Sequence, residues 1–189
     1  MTLQFRVISP IRSYTGPDLD PYHKYKPFLK KDFNSRCGYT DCPDFWFGGH
    51  SSFHIDHFKP KSIYGQLTNN YSNLVYCCSH VNLAKSADDV DYIDPCLEDY
   101  NDHFYRDTGG NIHPNENSTR AKYMHRRLKL YLKRYSAIWV LDQLYQKMKL
   151  IKNAIEGLPS GEDKNDLITI MGELGVKFTC YLEYLEANR

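Results

Sequence analysis

The sequence predicts an α+β protein, with short strands and long loops over residues 1–115 and a helical region over residues 116–189. Two observations carry this reading. From Ser118 onward apolar side chains recur every three or four positions, through Met124, Leu128, Tyr131, Tyr135, Ile138, Leu141, Tyr145, Met148, Ile151 and Ile155, which is the period of one helix face. Before that point the period is lost. The stretch holds five of the six cysteines and most of the prolines, and Gly48-Gly49, Asn69-Asn70 and Gly109-Gly110 mark turns.

In chain order, the first element is a basic, aromatic-rich arm, Tyr-His-Lys-Tyr-Lys-Pro-Phe-Leu-Lys-Lys over residues 22–31. Residues 52–58 and 74–77 are the best strand candidates, because β-branched and aromatic residues concentrate there between turn formers. A loop rich in Lys, Pro and Asn separates them, and a helix is expected over 81–87. After Ser118 comes a long amphipathic helix with room for one break. Gly157, Pro159 and Gly161 end it, and Leu167, Ile170, Met171, Leu174, Phe178, Tyr181 and Leu185 open a second, so this region reads as a helical hairpin.

At 189 residues the chain is long enough to bury a core without staples. Its 41% hydrophobic content excludes disorder, and no apolar run reaches the ~20 residues of a membrane span. Arg6 and Pro10 interrupt the start before a secretory signal can develop, so the cytoplasm is the expected compartment and six cysteines there suggest metal or chemistry instead of disulfides.

The formal charge of +1 conceals strong segregation. Residues 1–36 carry seven basic and three acidic side chains, residues 86–107 one and eight, and residues 118–152 ten and one. Either basic segment could face phosphate or form a solvated surface.

The informative residues lie in His-Ile-Asp-His-Phe-Lys-Pro-Lys-Ser (54–62) and Tyr-Ser-Asn-Leu-Val-Tyr-Cys-Cys-Ser-His-Val-Asn-Leu-Ala-Lys (71–85). Asp56 and His57 adjoin on one candidate strand and therefore face opposite sides, unless the strand ends there. Asn73 precedes the second strand and Asn82 sits on the helix. A carboxylate and an amide oxygen are hard donors suited to Mg²⁺ or Mn²⁺, and an imidazole can take a proton from water near neutral pH.

This pattern resembles the HNH endonucleases, whose ββα-metal core is two strands and a helix closing on one divalent ion. The match is Asp56-His57, Asn73 and Asn82, an Asn replacing the third His of many members, with Pro60, Lys61 and Lys85 also in place. The resemblance implies a metal-dependent endonuclease that hydrolyses phosphodiester bonds, with Asp56 and Asn82 as the expected metal ligands, His57 the general base, Asn73 its positioner, and Lys85 and Lys61 near phosphate. Arg126 and Arg127, in the basic stretch after Ser118, are the expected further contacts with DNA. Many HNH proteins also hold a structural zinc between two Cys pairs. Here the first pair is the wider Cys37 and Cys42, and Val81 stands where the last cysteine would be. Zinc would then use Cys37, Cys42, Cys78 and Cys96, with Cys77 and His80 as other candidates.

An HNH core supplies cleavage and little sequence preference. The arm around residues 22–31 joins lysines to aromatics, a combination suited to phosphate contact and base stacking. Residues 20–90 also resemble the small HNH proteins encoded beside an ATPase in Septu-type anti-phage defence systems, which implies an ATPase partner. Two competing readings are a non-catalytic module that binds zinc and nucleic acid, and an interaction subunit silent without its partner. RNA is an alternative substrate, since the same chemistry acts on either backbone.

Overall fold

In the computed structural model, which describes residues 1–187, the chain separates into two units, Met1–Leu132 and Lys133–Arg189. The first contains β1 (Leu3–Gln4), α1 (Lys26–Asp32), β2 (Phe53–His57), β3 (Leu74–Cys78), α2 (Ser79–Lys85), β4 (Phe104–Arg106), β5 (Ile112–Pro114) and α3 (Thr119–Arg127). The second contains α4 (Lys133–Gly157) and α5 (Glu162–Ala187). The expected α+β class holds.

β2 and β3 pair antiparallel, from Phe53 opposite Cys78 to His57 opposite Leu74. Every residue of β3 is buried, so this strand is covered on both faces and reads as a continuous apolar run. α2 follows β3 directly and turns Val81 and Lys85 inward, four residues apart on one helix face. Two strands and a helix thus meet over residues 53–85.

The arm is folded. Pro27 lies in the first turn of α1, where its missing N–H costs nothing. Tyr25, Leu29 and Phe33 are buried, and the helix packs on β3. After α1 the chain makes a tight knuckle in which the Cys37 N–H donates to the Cys42 carbonyl and the Gly38 N–H to the Tyr76 carbonyl of β3. Gly38 is wedged in place: a Cβ there would sit 2.7 Å from both Phe33 and Val75.

A second sheet, in the order β1-β4-β5, was not expected from sequence. Its strands are two or three residues long. Arg106, wholly buried on β4, donates to the carbonyls of Phe5 and Gly110 and, at 2.5 Å, of Thr40 in the knuckle. Arg6 reaches the Gly38 carbonyl at 2.6 Å and lies over the Tyr100 ring.

The expected long helix breaks once, at residues 128–132, where Lys129 takes a φ of 54°. α3 belongs to the first unit because Ala121, Met124 and Leu128 are buried, so the first unit runs past residue 115 to Leu132. Ser118 caps α3 by accepting from the Ala121 N–H. In the second unit α4 and α5 pack as a hairpin. Among the described residues no helix is long and apolar enough to cross a membrane.

Candidate active site

β2 ends at His57, and that ending removes the alternation that would separate neighbours. Asp56 and His57 both line a cleft of about 340 Å³, with Tyr22, Pro60, Lys61 and Asn82 also in its wall. The ends of β2 and α2 therefore bring three of the four expected residues to one place.

Asp56 is buried and doubly bonded. Its carboxylate accepts from the Tyr39 hydroxyl at 2.6 Å and from the Lys85 ammonium at 3.3 Å. Burial raises its pKa above the usual carboxylate value, with Lys85 and Tyr39 opposing that rise. Lys85 is wholly buried and also donates to the His57 carbonyl at 2.8 Å. The expected phosphate contact at Lys85 is thus corrected: its ammonium is spent inside the protein, holding Asp56 and the end of β2.

The His57 ring has a defined tautomer when neutral. A carbonyl can only accept, so Nε2 carries the proton it donates to the Thr68 carbonyl at 2.9 Å, and Nδ1 keeps its lone pair. Burial lowers the pKa of His57 below 6.5, which favours the neutral ring. The Tyr22 ring meets it edge-on at 4.6 Å between centroids.

Asn73 makes no bond to the His57 ring and instead holds the loop beside it. Its amide oxygen accepts from the Lys59 N–H at 2.8 Å, and its NH₂ group donates to the carbonyls of Lys59 at 3.0 Å and Leu67 at 3.4 Å. One buried side chain therefore ties both ends of the loop between β2 and β3. The carbonyl that holds His57 belongs to Thr68, next to Leu67.

Asn82 is half-buried on α2, and its Nδ2 donates to His54 Nδ1 at 3.2 Å. That bond turns the amide oxygen away from His54. Among the described residues no three His, Cys, Asp or Glu side chains are grouped to hold a metal. Mg²⁺ does not need such a cage, because it keeps waters and commonly takes one carboxylate together with substrate phosphate oxygens. Asp56 and Asn82, both in the cleft wall, offer a carboxylate and an amide oxygen, donors of the kind Mg²⁺ accepts.

The expected zinc set is not assembled. The sulfurs of Cys37 and Cys78 approach to 3.9 Å, but Cys42 Sγ donates to the Thr40 carbonyl at 3.7 Å. Burial pushes the Cys42 thiol up to about 12 and the half-buried Cys96 thiol up to about 11. Burial also acts to raise Cys37, but hydrogen bonds from Cys78 and Thr40 outweigh it and bring the thiol down to about 6. Cys77 is wholly buried, and Cys180 is exposed on α5. Among the described residues no three of Cys37, Cys42, Cys78 and Cys96 are grouped as a tetrahedral zinc site requires.

Three arginines of the basic segments, and Lys59 between them, pair with the acidic one. Arg12 pairs with Asp94, Lys59 with Asp89, Arg120 with Asp91 and Glu98, and Arg127 with Asp88. Arg127, though exposed, also donates to the Lys85 carbonyl and so ties α3 to the end of α2. Lys61 and Arg126 are exposed, and Lys61 borders the cleft.

Sequence reasoning missed Tyr39 and Thr68; His54, which alternates with Asp56 along the strand, and the arm that begins at Tyr22 were open to it. Thr68 acts through its carbonyl, which any residue supplies, so no side-chain signal existed to find. Compared with known protein families, characterised proteins and solved structures, the chain matches none.

Proposed function

We propose that this chain is a metal-dependent endonuclease of the HNH type that hydrolyses phosphodiester bonds in DNA. The observation that carries the reading is the shared cleft: an acidic, an imidazole and an amide side chain, presented by two antiparallel strands and the helix that follows them. A divalent ion bound at Asp56 and Asn82 would polarise the scissile phosphate and stabilise the departing oxygen. His57 takes a proton from the attacking water at Nδ1 as the new P–O bond forms and the bond to the leaving oxygen breaks. The Thr68 carbonyl holds the ring for that transfer by accepting from Nε2, and stabilises the imidazolium that results. Lys61 at the cleft edge meets the phosphate backbone.

Incubating the purified chain with supercoiled plasmid and Mg²⁺ or Mn²⁺ tests this. Nicking is expected, and His57→Ala is expected to slow it by about 10²-fold or more. Equal rates for the two proteins would remove His57 from the chemistry. No cleavage with either ion, by a chain shown to be folded, would overturn the nuclease reading.

A further inference from the structure

α5 carries two adjacent seams. Leu167, Met171, Leu174, Phe178, Tyr181 and Leu185 follow alternate steps of four and three residues, and all are half-buried. That is the spacing of a helix packed against one neighbour, and α4 is the neighbour it packs on. A second series with the same alternation, Ile168, Gly172, Gly175, Thr179 and Leu182, lies beside the first. Ile168 is 51% and Leu182 36% exposed, and a Cβ added at Gly172 or Gly175 meets nothing within 4 Å. None of the residues of α5 is buried. Two such seams suit a helix with two helical neighbours, and the hairpin supplies one.

Charge indicates the other. α4 carries Lys133, Arg134, Lys147, Lys149 and Lys152 against Asp142 and Glu156. α5 carries Glu162, Asp163, Asp166, Glu173, Glu183 and Glu186 against Lys164 and Lys177. The missing neighbour of acidic α5 is thus a basic amphipathic segment, and the C-terminal half of α4 is one, exposed where the first half is buried, with Lys147, Lys149 and Lys152 around a 69% exposed Leu150. A two-fold axis satisfies both helices at once, α5 of each copy meeting α4 of the other, which is the self-complementary arrangement of a closed dimer.

We infer that the second seam of α5 is a self-association surface, through which two copies of this chain join their hairpins into a four-helix bundle. The small residues at its centre allow close approach, and Ile168 and Leu182 anchor its ends. The surface does not depend on the nuclease reading.

Sedimentation equilibrium of the full chain tests it. A species of twice 22.2 kDa is expected, dissociating more readily as salt rises. The pair Ile168→Glu and Leu182→Glu, both at exposed positions, is expected to weaken the dimer by about 100-fold or more while the helical circular dichroism stays unchanged. A wild-type chain that is monomeric at its highest soluble concentration would overturn the inference. So would a dimer indifferent to the paired substitution, or a chain that stays monomeric alone and associates only with a different protein.

Discussion

Lys85 shows how little the place of a side chain in a sequence pattern says of its task. Its position three residues after Asn82 resembles the family pattern, but the structure buries the ammonium between the Asp56 carboxylate and the His57 carbonyl. Removing it strands a carboxylate away from water, and broken buried pairs cost about 3–5 kcal/mol. Lys85→Met is therefore expected to lower unfolding free energy by about that amount in urea titrations, and adding Asp56→Asn to recover part of the loss. If Lys85→Met unfolds at the wild-type midpoint, the pair does not have this role. Asp56, His57 and Asn82 were legible because their chemistry belongs to their side chains. Asn73 stands outside the cleft wall, and its bonds could not be read in advance, because they go to the backbone of Lys59 and Leu67. The cysteines were illegible for a related reason: their spacing says nothing of whether the folded chain brings sulfurs together, and among the described residues no three are grouped.

Among the elements, β2, β3 and α2 could be read in advance because each has a strong local pattern, an apolar run or an amphipathic turn. The β1-β4-β5 sheet could not, because strands of two or three residues carry no period and are held by the buried Arg106 reaching distant carbonyls. The knuckle between α1 and β2 depends on Gly38, whose hydrogen atom faces Phe33 and Val75. Gly38→Ala is expected to destabilise the protein by about 1–3 kcal/mol, the usual cost of overpacking, and thermal unfolding would register it; an unchanged melting temperature would show that the knuckle can shift. Asp88 joins α2 to α3 by accepting from Tyr92, Tyr123 and Arg127. Burial acts to raise its pKa, but these partners outweigh it and hold the carboxyl below 3.8. Its stabilisation is therefore present above pH 3.8 and is lost as pH falls through the lower folded value. Acid titration of stability should be shallower for Asp88→Asn than for the wild type, and identical slopes would remove Asp88 from the acid response.

At the scale of the whole chain, the near-zero net charge is partly an arrangement in space. The acidic segment is paired with arginines and a lysine from both sides of the sequence, so the basic residues left for a polyanion are fewer than the segment counts suggest. Each exposed cation that meets phosphate steepens the fall of binding with salt by about one unit of log-log slope. Lys61→Ala and Arg126→Ala should each reduce that slope by about one in DNA-binding titrations, and Arg120→Ala, already tied to Asp91 and Glu98, should leave it unchanged. A reduced slope for Arg120→Ala alone would place the nucleic-acid surface elsewhere. The tie between Arg127 and the Lys85 carbonyl also has a temporal side. During synthesis the strands and helix around the cleft emerge first, but Asp88, Asp91 and Glu98 wait for Arg120 and Arg127 to leave the ribosome. The segment that completes the cleft's support is made last within the first unit, so a nascent chain passes through a stage with the cleft residues already translated and their buttress still missing.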